Sequence, residues 1–472
     1  MLKADMRVTF MKEQYINFTL KRMYIFNELV KRYWSGKLNT KEDLNELADH
    51  IKTKYGFEDS EMTFIKDHIR IAMGQEPKGD ADFSDELDFI KNSESVKDPV
   101  VAKVAGPCDF CEREDCQCQV ARYETDIYRR SKGPVIQDGK CLSCGRCVSS
   151  CDFGGVADKI EFLPVVDLLK DKDTPVFAAV APAITGQFGE DVSMGQLRTA
   201  FKLMGFEDMI EVAMFADILT IKEAIEFNDR IKTEEDFFLT SCCCPVWFNM
   251  VKKSYPEIRN HMSLSVSPMI AAGRILKRLY QNAKVVFIAP CIAKKAEYKD
   301  PELVGAIDYV VNFRELKEVF DALEIDLSQL APDDKDQASM GGRLYARTGG
   351  VSFSVKTIVN RFHPERVIKL KAKKVDGVKK CKEILDRLNR GEKLDANFVE
   401  GMGCIGGCVG GPRTNISREE ATEFVNEYGE DSFILTPFDN QNILKIFNQI
   451  GIDSMEELLE NEEMDKMLTR DF

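Results

Sequence analysis

The chain of 472 residues contains no run of the roughly 18 to 20 apolar residues that a membrane-crossing helix requires. Between Met1 and Val30, apolar residues are interrupted by Lys3, Asp5, Arg7, Lys12, Glu13, Lys21 and Arg22, so no continuous apolar stretch of a secretory leader is present. A basic surplus is also missing. Sixty-five Lys and Arg stand against 79 Asp and Glu, a formal net charge of -14. Nucleic acid and anionic membranes need the opposite sign, and neither is an expected partner. The expected location is the cytoplasm. Histidine is scarce at four residues, whereas cysteine is abundant at fifteen. Thiols of an unexported chain stay reduced, and soft thiolates without imidazoles select iron–sulfur clusters or all-cysteine zinc.

A hydrophobic content of 44% over this length buries a large core and divides into two to four domains. Residues 1–98 carry no cysteine and read as a helical region followed by a linker from Glu76 to Asp98. Eight cysteines then fall between Cys108 and Cys151, and residues 99–165 read as a ferredoxin-like module for two clusters. From 166 to 430, short apolar runs alternate with longer amphipathic ones, the pattern of a layered α/β domain. Residues 431–472 form a helical tail around Ile443 to Leu468. The strand candidates Val176–Val180, Phe237–Leu239 and Lys284–Ile288 each run into a motif, at Ala181-Pro182-Ala183, Thr240 to Pro245, and Ala289-Pro290-Cys291. Open α/β folds build their sites beyond the carboxyl ends of strands, so these segments are expected to converge on one crevice.

Cys141, Cys144, Cys147 and Cys151 have the C-x2-C-x2-C-x3-C spacing of a bacterial ferredoxin motif, in which one loop wraps three corners of a cubane. Asp152 replaces the proline usual after the last cysteine. Cys108, Cys111, Cys116 and Cys118 form a second, irregular group. Eight thiolates hold two [4Fe–4S] clusters at four each, while four-cysteine zinc remains the alternative for the irregular group.

Three further motifs are Thr240-Ser241-Cys242-Cys243-Cys244-Pro245-Val246-Trp247, Pro290-Cys291-Ile292-Ala293-Lys294-Lys295-Ala296-Glu297, and the run from Glu400 through Met402, Cys404 and Cys408 to Pro412. In order, they resemble the signature motifs of [FeFe]-type, iron-only hydrogenases. The resemblance implies a two-lobed α/β catalytic domain, with mixed or parallel sheets flanked by helices, that interconverts protons plus electrons and H2. It implies that Cys244, Cys291, Cys404 and Cys408 bind a cubane, with Cys408 bridging to a two-iron unit that carries CO, CN⁻ and a dithiolate. That assembly is the H-cluster. Lys294 corresponds to the lysine that hydrogen-bonds a cyanide, and Met402 to the methionine packed over the two-iron unit. Cys243 corresponds to the proton-shuttle thiol, with Glu223, Glu226 and Ser263 on the relay to solvent. The implied partners are a ferredoxin-type electron carrier feeding two accessory [4Fe–4S] clusters, and maturation proteins that supply the two-iron unit.

Against each assignment stands a plainer one. Glu223 and Glu226 lie on one helical face and read as solvated charge without the resemblance; Met402 reads as core and Lys295 as surface charge. Cys381 has no motif and reads as structural. Cys242, Ala289, Gly403 and Met269 depart from the usual motif surroundings, which marks a divergent branch. A hydrogenase-like iron–sulfur protein without catalysis, and a hydrogen sensor, are the rival functions.

Overall fold

The computed structural model describes residues 21–92, 96, 99–104, 128–130, 134–136, 141–151, 155–240, 243–452, 458 and 461–471. Cys108, Cys111, Cys116, Cys118, Asp152 and Cys242 lie outside them. The chain forms two compact units, one of residues 1–171 with 314–326, the other of 172–313 with 327–472.

In the first unit, helices occupy residues 21–34, Lys41–Tyr55 and Met62–Ala72. Thr40 opens the second of these with a reciprocal cap, its hydroxyl accepting from Asp43 N while Asp43 accepts from Thr40 N. Leu44, Leu47, Ala48 and Ile51 recur at helical spacing and are buried. The segment expected as a linker contains a short helix, Glu86–Lys91. Fully buried Arg70 explains it, because its Nε donates to Glu86 Oε1 at 2.9 Å and an unpaired buried charge is costly. Two antiparallel pairs complete the strands described here: β1 (Val101–Lys103) with β4 (Val156–Asp158), and β2 (Tyr128–Arg130) with β3 (Pro134–Ile136).

The second unit is built on two parallel sheets. One has the order β6-β5-β8-β9, from β5 (Val176–Val180), β6 (Asp208–Glu211), β8 (Lys284–Ile288) and β9 (Tyr309–Val311). The other has the order β10-β11-β7, from β7 (Phe238–Leu239), β10 (Ala372–Asp376) and β11 (Phe398–Met402). Each residue of β5 is buried, as a central parallel strand covered by helices on both faces requires. This is the expected α/β class, with parallel sheets flanked by helices. Helix Ala213–Arg230 is buried through most of its length, which a solvated surface helix would not be. The C-terminal tail is two helices, Gln441–Ile450 and Glu462–Leu468. It ends in extended backbone, with Thr469 bridging Ser265 and Val266 N donating to Leu468 O. No helix among the described residues is long and apolar enough to cross a membrane.

Candidate active site

β7, β8 and β11 each deliver a motif at their carboxyl ends, and backbone contacts join the three. Gly403 N, just past β11, donates to Cys244 Sγ at 3.2 Å. Arg413 N donates to Pro290 O at 3.1 Å, tying the end of the third motif to the second. Cys244 itself precedes helix Pro245–Ser254, whose proline takes the first turn, where no backbone donor is needed. Trp247 Nε1 donates to Thr240 O at 2.8 Å and folds that turn back on β7.

The third motif leaves β11 through a tight loop. Gly407 has φ of 91°, and a Cβ there would stand 2.8 Å from Thr348 N, so only glycine fits. A Cβ on Gly403 would lie 2.6 Å from Val246 Cβ. A side chain at this place is therefore excluded by the valine of the first motif. Glu400, fully buried, accepts from Gly349 N at 2.6 Å and Ser352 N at 2.8 Å, capping helix Gly350–Phe362. Burial nevertheless holds its carboxyl above the ordinary range. Its place at the head of the third motif marks it in the sequence, although nothing there reveals the helix it caps.

Burial pushes the Cys291 thiol up to about 12, helped by the charges of Cys408 and Cys244 and opposed by Lys294. Cys408 is pushed up to about 11 by burial and by Cys244. These thiols share one low-dielectric pocket and resist ionising together unless a cationic core joins them. An iron–sulfur core supplies that charge, and Cys404 extends the same loop, so the donor set fits a cubane. Among the described residues no three His, Cys, Asp or Glu are placed to hold a single metal ion. Cys381, read as structural, is fully buried with its thiol 3.3 Å from Met402 O.

The remaining site residues fall into two groups. In the first, Cys243 Sγ lies 3.7 Å from Met402 Sδ. Lys294 Nζ donates to Glu297 Oε2 at 2.6 Å, and Arg470 Nη1 stands 3.5 Å from the other Glu297 oxygen. Arg470 also stacks on Phe248, 3.6 Å from the ring centre. Lys295 is fully buried, which corrects its assignment to surface charge: residues 294–297 turn helical between buried β8 and β9, leaving no solvated face for it. In the second group, Thr240 Oγ1 stands 2.7 and 2.9 Å from the two oxygens of fully buried Glu223. Ser263 Oγ donates to Glu226 Oε2 at 2.6 Å. Neither glutamate is a solvated surface charge. Lys222 and Arg470 escaped the sequence reading, and Thr240 was marked only as the head of its motif; Lys222 stands beside Glu223, already singled out, and Arg470 gave no signal.

In the first unit, Ser143 N donates to Cys141 Sγ at 3.3 Å and Gly155 N to Cys151 Sγ at 3.2 Å. Burial pushes the Cys144 thiol up to about 11, with Cys141 adding to the rise.

The model of the family described as iron only hydrogenase large subunit, C-terminal domain, matches residues 174–412, just over half of the chain. The chain belongs to this family. Proteins similar to the chain include both hydrogenases and iron–sulfur cluster assembly factors. The NADP-reducing hydrogenase subunit HndD of Solidesulfovibrio fructosivorans is 28% identical over 367 residues, 64% of this chain and 62% of that protein. The chain thus spans less than two thirds of that relative's length. A probable cytosolic Fe-S cluster assembly factor of Drosophila mojavensis is 24% identical over 362 residues, 62% of this chain and 76% of that protein. The solved structure of an [FeFe]-hydrogenase variant from Chlamydomonas reinhardtii covers 65% of this chain and 96% of its own, with a TM-score of 0.53 at 21% identity, a likeness of fold.

Proposed function

We propose that the protein is an [FeFe]-hydrogenase, which interconverts two protons plus two electrons and H2. The observation that carries this reading is the pairing of Cys243 with Met402 beside Cys244. Holding a cubane alone needs neither residue, whereas delivering protons to a metal needs a titratable group at its edge. The assembly-factor relative favours an iron–sulfur protein without turnover as the second reading.

Cys244, Cys291, Cys404 and Cys408 would hold the H-cluster, with Cys408 also facing its two-iron unit. When bound, that group supplies the redox-active, CO- and CN⁻-ligated iron at which H2 forms or splits. Lys294 keeps a fixed ammonium at the pocket, held by Glu297, and is the donor for an anionic ligand. Met402 packs over the pocket and, with its buried neighbours, excludes water. Cys243 passes protons at its sulfur. Glu223, Ser263 and Glu226 continue the route outward, with exposure rising from 0% at the Glu223 residue to 12% at the Glu226 side chain.

Residues 99–165 would carry two accessory [4Fe–4S] clusters on Cys108, Cys111, Cys116, Cys118, Cys141, Cys144, Cys147 and Cys151. A ferredoxin-type carrier would exchange electrons there, and maturation proteins would install the two-iron unit. The proposed setting is the cytoplasm. The direct test is H2 evolution from reduced methyl viologen by the full chain matured with partners proven on another member. Turnover supports the enzyme; none, at full iron–sulfur loading, supports the assembly-type reading.

A further inference from the structure

Next to the relay glutamates lies a buried cation that the family motifs do not contain. Lys222 is only 2% exposed. Its ammonium contacts Glu226 Oε1 and donates to Ser265 Oγ at 3.2 Å. Ser265 Oγ is 2.9 Å from Ser263 Oγ, and Ser263 Oγ is 2.6 Å from Glu226 Oε2. The four side chains close a ring, and both carboxylate oxygens of Glu226 are taken by it.

An ammonium only donates, and each serine hydroxyl has one proton to give. The Ser263 hydroxyl faces two acceptors, Glu226 Oε2 and Ser265 Oγ, with one proton to share between them, and Ser265 Oγ also accepts from Lys222. Lys222 therefore sets the arrangement of both acceptors. The backbone fixes it further: Ser265 N donates to Ser263 Oγ at 3.0 Å, Ser263 N donates to Leu239 O at 2.8 Å, and Thr469 of the tail bridges Ser265.

We propose that Lys222 is a positioning residue for proton transfer, anchoring Glu226 and Ser265, the two acceptors on either side of the Ser263 hydroxyl, so that the outer relay stays aligned. The proposal rests on the hydrogenase reading. A merely structural lysine would fill space and balance charge; this one also holds both acceptors of the Ser263 proton. The ring is net neutral at rest, one ammonium against one carboxylate, which makes its burial tolerable. Replacing Lys222 by an apolar side chain of similar length leaves the volume filled but releases both acceptors.

The test compares matured full-length wild type, Lys222→Met, Lys222→Arg and Glu226→Gln. Two readouts are taken: H2 evolution from reduced methyl viologen, and the infrared carboxyl bands of Glu226, assigned by their loss in Glu226→Gln. Lys222→Met is expected to lose about tenfold or more in turnover and to shift those bands. Lys222→Arg, which keeps the cation, is expected to restore most of both. Unchanged turnover and unshifted bands in Lys222→Met would overturn the proposal alone, as would equal loss in the Met and Arg variants. A wild type with full clusters and no turnover would overturn the hydrogenase reading, and the relay role with it.

Discussion

In the proposed route Cys243 is the side chain on which catalysis depends most, because its sulfur lies 3.7 Å from Met402 Sδ beside Cys244 without being among the four proposed ligands. Cys243→Ala should lower H2 turnover at least about a hundredfold while iron content stays at the wild-type value. Measuring both on one preparation separates a lost proton step from lost cofactor, and wild-type turnover in the variant would remove the thiol from the route. A second residue-scale expectation concerns Gly403 and Val246, whose close approach leaves no room for a Cβ. Gly403→Ala should destabilise the protein by about 1–3 kcal/mol through overpacking. Combined with Val246→Gly, which removes the Cβ that the new side chain would meet, it should cost less in urea unfolding than the sum of the two single changes, since they share one space. If the two costs simply add, the crowding is not the cause.

At the scale of elements, two buried carboxylates show how helices are held around the site. Glu400 satisfies two orphan donors of helix Gly350–Phe362. Glu400→Gln turns one acceptor into a donor facing an N–H, and should cost about 1–3 kcal/mol. A urea midpoint equal to that of wild type would contradict the capping role. Asp217, on helix Ala213–Arg230, accepts from Ser339 N at 2.8 Å and Ser339 Oγ at 2.5 Å, yet burial pushes its carboxyl up to about 7. Between the ordinary carboxylate value and about 7, the folded protein keeps this proton and the unfolded chain has lost it. Its linkage contribution therefore makes stability fall as pH rises through that window. Unfolding midpoints taken from pH 5 to 8 should decline, and the decline should be shallower in Asp217→Asn.

Much of this scale was legible in the sequence. β5 and β8 carry their expected bounds because fully buried parallel strands are continuous apolar runs. The motifs lie at the strand ends, where an α/β fold places them. What escaped was long-range. The order β10-β11-β7 depends on pairing β11 with β7 across 160 residues, Phe398 against Phe238, and no local pattern records that Glu400 caps a helix fifty positions upstream or that Arg470 reaches Glu297. Lys295 was misplaced for the same reason: a charged residue beside another reads as surface until the strands that bury it are known.

The whole molecule is two units, each with its own set of cysteines. In the proposed function the second would bind the H-cluster and perform the chemistry, and the first would carry electrons. Cys147→Ser should therefore remove about four of roughly fourteen irons and slow electron exchange with a ferredoxin-type carrier, while activity with a small viologen dye falls less. Iron analysis and the two assays together check this, and equal loss with both donors would deny the first unit its separate role. The central claim is that the chain holds a two-iron unit and not a cubane alone. Infrared spectroscopy of anaerobically matured protein addresses it most directly, in the window between the protein amide and water bands where metal-bound CO and CN⁻ absorb. The account predicts such bands, shifting under H2; their absence at full iron–sulfur loading with proven maturation partners would contradict it.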